Sequence, residues 1–369
     1  MPEPIPRVWI TTLGCAKNQV DSDKLTARLE AAGYREAAGP GDADVVMVNT
    51  CAFIEAARRE SVDAVLEAAS IKRQDARLVV LGCMAQRYQG ELADALPEAD
   101  AVVGMERYGE LIEDLDRITG WEPVRLVPPN PMDNLYEVRR PAPTTPNAYV
   151  KVAEGCDKPC AFCAIPQFRG PQRSRAPVDV REEIASLATD GVGEVVLVAQ
   201  DLAAYGRDID APGDIVDLLR FVSDVEGLRR LRLLYLYPRE VTDGLIEEMA
   251  SNAVIAPYFD LSLQHASGTL LRAMRRPSDG DRHLALIERI RAAEPAAALR
   301  SSFIVGFPGE TDADVDQLEE FLLTARLDWA GFFPYSAEEG TAAESLPGRV
   351  ADEVVGERLR RLQACLLYT

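Results

Sequence analysis

Three apolar, β-branched runs in the first third of the chain each stop at a cysteine: VWITTLGC at Cys15, VVMVNTC at Cys51 and LVVLGC at Cys83. Runs of this composition read as buried parallel strands. Helix-like segments at 20–32, 55–71 and, more weakly, 89–95 follow them, and a further strand-like run, DAVVGM, covers 100–105. Strands alternating with helices predict a doubly wound parallel sheet, in which ligands collect beyond the carboxyl ends of the strands. All three cysteines stand at those ends, so residues 36 and 32 apart in sequence meet at one sheet edge. The alternative is three small hydrophobes packed in a core. Their position after the strands rather than within them speaks against it.

Between Trp121 and Ala148 the chain carries seven prolines, including Pro128–Pro129, Pro141 and Pro143, and reads as an extended connector. From Ala148 a second βα series begins, with candidate strands AYVKVAEG, EVVLVAQ, LRLLYLYP, YFDLSLQ, LRSSFIVGFP and WAGFFPYS. Helix-like stretches lie near 180–189, 215–224, 243–251, 281–293, 314–325 and 351–367. Six such units predict an open, partial (β/α)6 barrel, with its active site at the carboxyl ends of the strands. The expected organisation is therefore an α/β domain over 1–120, a linker over 121–147 and the partial barrel over 148–369.

Seven cysteines in 369 residues are too few for a disulfide framework, and no apolar run approaches the roughly 18 residues of a membrane span. Met1–Arg7 has no signal-peptide character. These features predict a cytoplasmic protein. The net charge of −20, from 40 basic and 60 acidic residues, disfavours broad nucleic-acid binding, which needs a cationic surface. It is compatible with a basic protein partner and equally with simple solubility.

Three further cysteines form a compact run, Cys156, Cys160 and Cys163, in EGCDKPCAFCAIP. Structural zinc takes four ligands, usually in paired knuckles. Here the next histidine is His265 and the next cysteine is Cys365, so a three-thiolate iron–sulfur cluster with one open iron fits better. A cubane cluster normally takes four cysteines. Two triads offer six thiolates to eight irons, and the two open irons favour chemistry over plain electron transfer.

The C-x-x-x-C-x-φ-C run with Phe162 before its last cysteine resembles the signature of the radical S-adenosylmethionine (SAM) superfamily, whose open iron chelates SAM. TLGCAKNQVDSDKL, NTCAFIEAARRES, LGCMAQRY, EGCDKPCAFCAIPQFRG, LYLYP, LQHAS and FIVGFPGET resemble, in this order, the motifs of the methylthiotransferases. Within them GCAKNQVDS and AIPQFRGPQRSR are more similar to the RimO branch than to the MiaB branch. The resemblance covers about residues 7 to 365. It implies two 4Fe-4S clusters, one at Cys156, Cys160 and Cys163 that binds SAM and an auxiliary one at Cys15, Cys51 and Cys83. It implies addition of a methylthio group to the β-carbon of an aspartate in protein twelve of the small ribosomal subunit. An external electron donor and a sulfur source would serve the reaction. The open alternatives are a MiaB-like tRNA adenosine methylthiotransferase and a non-enzymatic two-cluster electron carrier. The family's C-terminal TRAM domain is expected to be absent, because no strand-rich segment follows the last helix.

The same resemblance places Phe162 over the cluster near the adenine and Gln200 near the methionine moiety of SAM. Ile304 and Gly306, in FIVGFPGE, fall beside the adenine, with Gly306 allowing close approach. Gln264 and His265 end the fourth barrel strand and are expected at the mouth, His265 as a candidate chemical group. Arg169, Arg173 and Arg175 follow the cluster loop, and Arg272, Arg275 and Arg276 follow LQHAS. Arginine forks suit a target carboxylate, and solvated surface charge is the plain alternative. Cys365 falls outside both triads and is expected to be a packed thiol.

Overall fold

A computed structural model of the chain describes residues 5–120, 138–209 and 213–366. Most of the connector expected over 121–147, its stretch from 121 to 137, lies outside the described residues. The chain divides into two units, Met1–Thr144 with Gln167–Arg169, and Thr145–Pro166 with Gly170–Thr369.

In the first unit β1 (Arg7–Thr12) leads into α1 (Ala16–Ala31), β2 (Arg35–Glu36), β3 (Val45–Thr50), α2 (Glu55–Ile71), β4 (Arg77–Leu81), α3 (Gly82–Ala95), β5 (Ala101–Val103) and α4 (Leu111–Thr119). The strands are all parallel, in the order β2-β1-β3-β4-β5. Strand order reverses between β1 and β3, and a doubly wound sheet takes its ligand at such a switch point. Val45, Val46, Met47 and Val48 of β3 and Leu78–Leu81 of β4 are fully buried. That explains their unbroken apolar runs, since a parallel strand is covered on both faces.

Three details depart from the sequence reading. β2 is a polar two-residue edge strand with no apolar run to announce it. It forms because the Arg35 and Ala37 amides find the Pro6 and Val8 carbonyls at 3.1 and 2.8 Å. α1 starts at Ala16 and α3 at Gly82, each well ahead of its periodic apolar segment, because α1 opens on the polar Lys17, Asn18 and Gln19 and α3 on Gly82 and Cys83. Gln89, at φ 38°, kinks α3, so only its second half reads as a helix.

The second unit holds β6 (Asn147–Lys151), β7 (Ala153–Glu154), α5 (Ile165–Arg169), β8 (Arg173–Ser174), α6 (Pro177–Thr189), β9 (Glu194–Val198), α7 (Ile215–Ser223), β10 (Arg230–Leu233) and α8 (Asp243–Ser251). It continues with β11 (Tyr258–Gln264), α9 (Gly268–Ala273), α10 (Gly280–Ala293), β12 (Ala298–Val305), α11 (Asp312–Ala325), β13 (Trp329–Pro334) and α12 (Asp352–Leu366). Gln167–Arg169, the last three residues of α5, belong to the first unit. Two parallel three-stranded sheets, β6-β9-β10 and β11-β12-β13, are joined by isolated parallel bridges at Leu231–Ile255 and Leu236–Leu261. Among the described residues no pairing closes β13 on β6, so the six expected strands make an open, partial barrel. Tyr235, at φ 62°, interrupts LRLLYLYP after Leu233, and pairing resumes at Leu236.

Val150, Leu197, Leu233, Leu261 and Phe303, from β6, β9, β10, β11 and β12, share one buried core with residues of the surrounding helices. Each such side chain contributes roughly 1.5–3 kcal/mol by leaving water. Side-chain caps set the starts of α7 to α11. Asp214 and Asp217 form a capping box at α7, as do Thr311 and Asp314 at α11. The box starts α11 two residues before its apolar pattern does. Cys365 of α12 is buried in the same core, as a packed thiol would be.

His283 of α10 is buried and lies edge-on to Phe321 of α11, centroids 6.1 Å apart. Burial, with Arg276 adding to it, pushes its imidazolium down to about 4 from an ordinary 6.5. Between those values the unfolded chain binds the proton and the folded chain does not, so stability falls as pH drops from 6.5 to 4. A His283→Gln chain should lose this slope. Denaturant titrations at both ends of the window should show parent stability falling about 3 kcal/mol relative to the variant.

Candidate metal centres

In the first unit the spread cysteines occupy three equivalent turns. Cys15 follows β1 and stands at the N-terminus of α1, Cys51 follows β3, and Cys83 follows β4 as the second residue of α3. Two of the turns are made by a glycine before the cysteine, Gly14 at φ +89° and Gly82 at φ +90°. Both lack space as well as tolerance for a side chain. A Cβ on Gly14 would lie 2.9 Å from Cys51 Sγ, and one on Gly82 would lie 2.3 Å from Asn49 Oδ1 and 2.6 Å from the Thr50 carbonyl.

Asn18 ties the three turns together. Its Nδ2 donates to the Leu13 and Thr50 carbonyls, both at 3.0 Å, and its own carbonyl accepts from Asn49 Nδ2 at 3.0 Å. Asn18 Oδ1 accepts from Arg169 Nη2 at 2.7 Å and lies 3.5 Å from Cys83 Sγ. The Cys51 amide donates to Ser61 Oγ at 3.0 Å. Cys51 and Cys83 are buried. Burial and the neighbouring thiolates hold Cys51 up at about 11, and burial likewise raises Cys83 against the opposing pull of Arg169. Burial also acts to raise Cys15, but Lys17, Arg169 and the amides of Asn18 and Lys17 outweigh it and leave that thiol lowered. Cys15 is thus the one that ionises first.

Among the described residues no three His, Cys, Asp or Glu side chains close on a single-ion position. A cubane cluster makes a different demand, because its ligands bind separate irons and need not share one centre. Each triad supplies soft thiol donors alone, which suits iron–sulfur ligation. In the spread triad the bare face of Gly14 also leaves the space beside Cys51 Sγ free of side chain. The residues fit such a group in donor chemistry and in placement at the switch point.

In the second unit Cys156, Cys160 and Cys163 lie on the loop between β7 and α5. Gly155, at φ +75°, lets the loop leave the sheet; a Cβ there would lie 1.9 Å from the Pro171 carbonyl. The Cys156 amide donates to the Gly170 carbonyl (3.1 Å), and the Ala161 amide to that of Met274 (2.9 Å). The Ala161 carbonyl accepts from Ala343 at 2.8 Å. Burial drives Cys163 up to about 12 and raises Cys156, with the neighbouring thiolates adding to each. Arg276, itself buried, donates to Cys160 Sγ at 3.4 Å and to the Ser262 carbonyl at 2.5 Å, and its guanidinium stacks 4.0 Å over Tyr237.

The other expected residues divide. Phe162 and Ile304 pack against the buried group of Leu270, Leu271, Met274 and Phe307 beside the compact loop. Gln200 is half-buried and donates to Glu154 Oε1 at 2.8 Å. Gln264 ends β11 in the left-handed region at φ 70°. Gly306 does permit a close approach, but the neighbour is α12: a Cβ there would lie 2.4 Å from Val355 Cγ2. His265 is fully buried rather than exposed at a mouth. Its Nδ1 accepts from the Ser267 amide at 2.9 Å and its Nε2 lies 3.6 Å from Glu310 Oε2. Those contacts make it part of the core's polar scaffold.

The arginines are redistributed as well. Arg175 is buried on Glu183 Oε2 and the Lys151 carbonyl, both at 2.7 Å, and braces the fold rather than offering a fork to a substrate. Arg169 and Arg276 each donate to a cysteine sulfur. Arg173, Arg272 and Arg275 remain exposed. Sequence reading overlooked Asn18, although it stands three residues after Cys15 in GCAKNQ. It also overlooked Lys158, whose Nζ lies 2.5 Å from Glu240 Oε1 and 3.3 Å from buried Asp201. A hydrogen bond from Arg207, with help from Lys158, holds the Glu240 carboxyl down at about 2, whereas burial raises Asp201. Only the charge alternation within DKPC and the polar VAQD strand end hinted at this pair.

Residues 7–104 match a model described as uncharacterized protein family UPF0004, and residues 150–322 match the radical SAM superfamily. The chain is 44% identical to the ribosomal protein uS12 methylthiotransferase RimO of Streptomyces coelicolor, over 96% of this chain and 80% of that protein. It is 47% identical to the RimO of Moorella thermoacetica, over 96% and 82% respectively. Among solved structures it resembles the radical SAM methyltransferase TsrM of Kitasatospora setae, at TM-score 0.66 and 16% identity over 92% of this chain and 77% of that one. At that identity the likeness concerns the fold.

The glycine turns give a direct test. Gly82→Ala should destabilise the chain by about 1–3 kcal/mol from backbone strain alone, and more from the overlap with Thr50. Gly90→Ala, inside α3 with no neighbouring side chain near its Cβ, should not destabilise the chain and should gain up to about 1 kcal/mol in the same urea titration.

Proposed function

The chain belongs to the RimO-type radical SAM methylthiotransferases, and from that premise we propose that it adds a methylthio group to the β-carbon of an aspartate in ribosomal protein uS12. One observation carries the reading. The match to RimO relatives spans 96% of the chain, and each of its two matched regions contains one complete cysteine triad. Both triads would hold 4Fe-4S clusters, the compact one binding SAM and the spread one serving as the auxiliary cluster. When bound, these groups supply reductive cleavage of SAM, hydrogen abstraction from an unactivated carbon, and the sulfur to be methylated and transferred. The protein's own part is to hold them, orient them and exclude water.

The residues divide that labour. Cys15, Cys51 and Cys83 present thiols from three strand ends, and the N-terminal turns of α1 and α3 bring helix-dipole charge that favours the thiolates. Cys156, Cys160 and Cys163 sit on a loop pinned by Met274 and Ala343. Phe162 and Ile304 shield that loop from water, while Gln200 and Gln264 line the approach to SAM. Arg173, Arg272 and Arg275, which are exposed, are the arginines left to meet a target carboxylate. The enzyme works in the cytoplasm with an external electron donor and a sulfur source. The acidic net charge of −20 suits a basic ribosomal protein better than tRNA.

Two measurements test this. Anaerobic reconstitution should load about eight irons per chain, and a Cys15→Ala, Cys51→Ala, Cys83→Ala chain about four, with product formation abolished. Full iron and full product in the triple variant would sink the two-cluster scheme. Mass spectrometry of cells with and without the gene should show the added methylthio mass on uS12. A methylthiolated tRNA adenosine with unmodified uS12 would move the protein to the MiaB reaction.

A further inference from the structure

Arg169 is the last residue of α5 and belongs to the first unit, with Asn18, Asp21 and Cys83. We infer that Arg169 is a positioning residue of the spread triad, donating a charged hydrogen bond to the Cys83 thiolate and so raising the reduction potential of the group that the triad holds. This deepens the proposed function and rests on its assignment of an auxiliary cluster to Cys15, Cys51 and Cys83.

Three contacts carry it. Arg169 Nη2 lies 3.1 Å from Cys83 Sγ, 2.7 Å from Asn18 Oδ1 and 3.6 Å from Asp21 Oδ2. Arg169 is 4% exposed, and Asn18, Asp21 and Cys83 are buried with it. A guanidinium stays charged and can only donate, so it gains most from a sulfur that is an ionised acceptor. A neutral thiol would give it little in return for its lost hydration. The contact therefore suits Cys83 as a ligand rather than as a packed thiol. Through Asn18 the same side chain is tied to the backbone before the other two cysteines, because Asn18 Nδ2 bonds the Leu13 and Thr50 carbonyls.

Hydrogen bonds to ligand sulfur and the local charge both set cluster potentials. A cation at Cys83 stabilises the reduced, more negative cluster, and Asp21 behind it partly offsets that effect. The two residues should thus act with opposite signs, which a merely structural pair would not do.

The experiment uses the full chain with Cys156→Ala, Cys160→Ala and Cys163→Ala, reconstituted anaerobically, so that every signal comes from the spread triad. Iron content, EPR spectrum and midpoint potential are read with no turnover involved. Arg169→Gln should make reduction about tenfold less favourable, a negative shift of about 59 mV for one electron. Arg169→Lys, which keeps the charge, should shift less. Asp21→Asn should shift the potential in the positive direction. Arg169→Gln that folds but loses its iron, with Arg169→Lys retaining it, also supports the assignment. Full iron with an unchanged potential and EPR spectrum in Arg169→Gln overturns it. Should Arg169→Gln fail to fold, an unmoved potential in Asp21→Asn overturns it instead. A parent that binds no iron overturns the auxiliary-cluster reading itself, a result distinct from an unmoved potential.

Discussion

The first unit depends on the close approach of three backbone turns at the carboxyl edge of one parallel sheet. β1, β3 and β4 are neighbours, so the residues that follow them are neighbours too, whatever their separation in sequence. Gly14 and Gly82 then turn the chain through the left-handed region, where a Cβ would strike Cys51 or the Asn49–Thr50 backbone. The thiols are brought together by sheet order and glycine sterics. Asn18 locks the arrangement by bonding two of the turns while accepting from Arg169. A buried amide that meets several backbone groups holds a geometry more tightly than apolar packing can.

The second unit solves the same problem locally. Its cysteines lie within eight residues of one another, so proximity needs no sheet. What the fold adds is an anchor on each side, the Met274 and Ala343 backbones, and a buried arginine at one sulfur. Each triad thus carries one arginine donor to one thiol, Arg169 at Cys83 and Arg276 at Cys160. Both sites combine burial, which disfavours an empty thiolate, with a fixed cation, which favours an occupied one.

Much of the architecture was legible because parallel strands buried on both faces write unbroken β-branched runs. β3, β4 and β9 declared themselves in this way, and the other strands as shorter or mixed apolar runs. The places that stayed hidden share a physical cause. β2 is held by backbone hydrogen bonds with no apolar signature, and the first turns of α1 and α3 carry small or polar residues that no periodicity marks. His265 and Arg175 resemble site residues by type. Their partners, Glu310 and the Ser267 amide for one, Glu183 and the Lys151 carbonyl for the other, are supplied by distant segments.

By itself the sequence determined the donor chemistry: six cysteines, their grouping into two triads, and the strand ends on which three of them stand. Those features depend on residue type, short spacing and hydrophobic period, all of which are local. Tertiary structure decided which polar side chains attend the thiols. Arg169 stands 86 residues beyond Cys83, and Arg276 stands 116 beyond Cys160. Charge alone does not say whether an arginine meets a substrate, braces a loop or bonds a sulfur, because that depends on burial and on which acceptor the folded chain places within 3–4 Å.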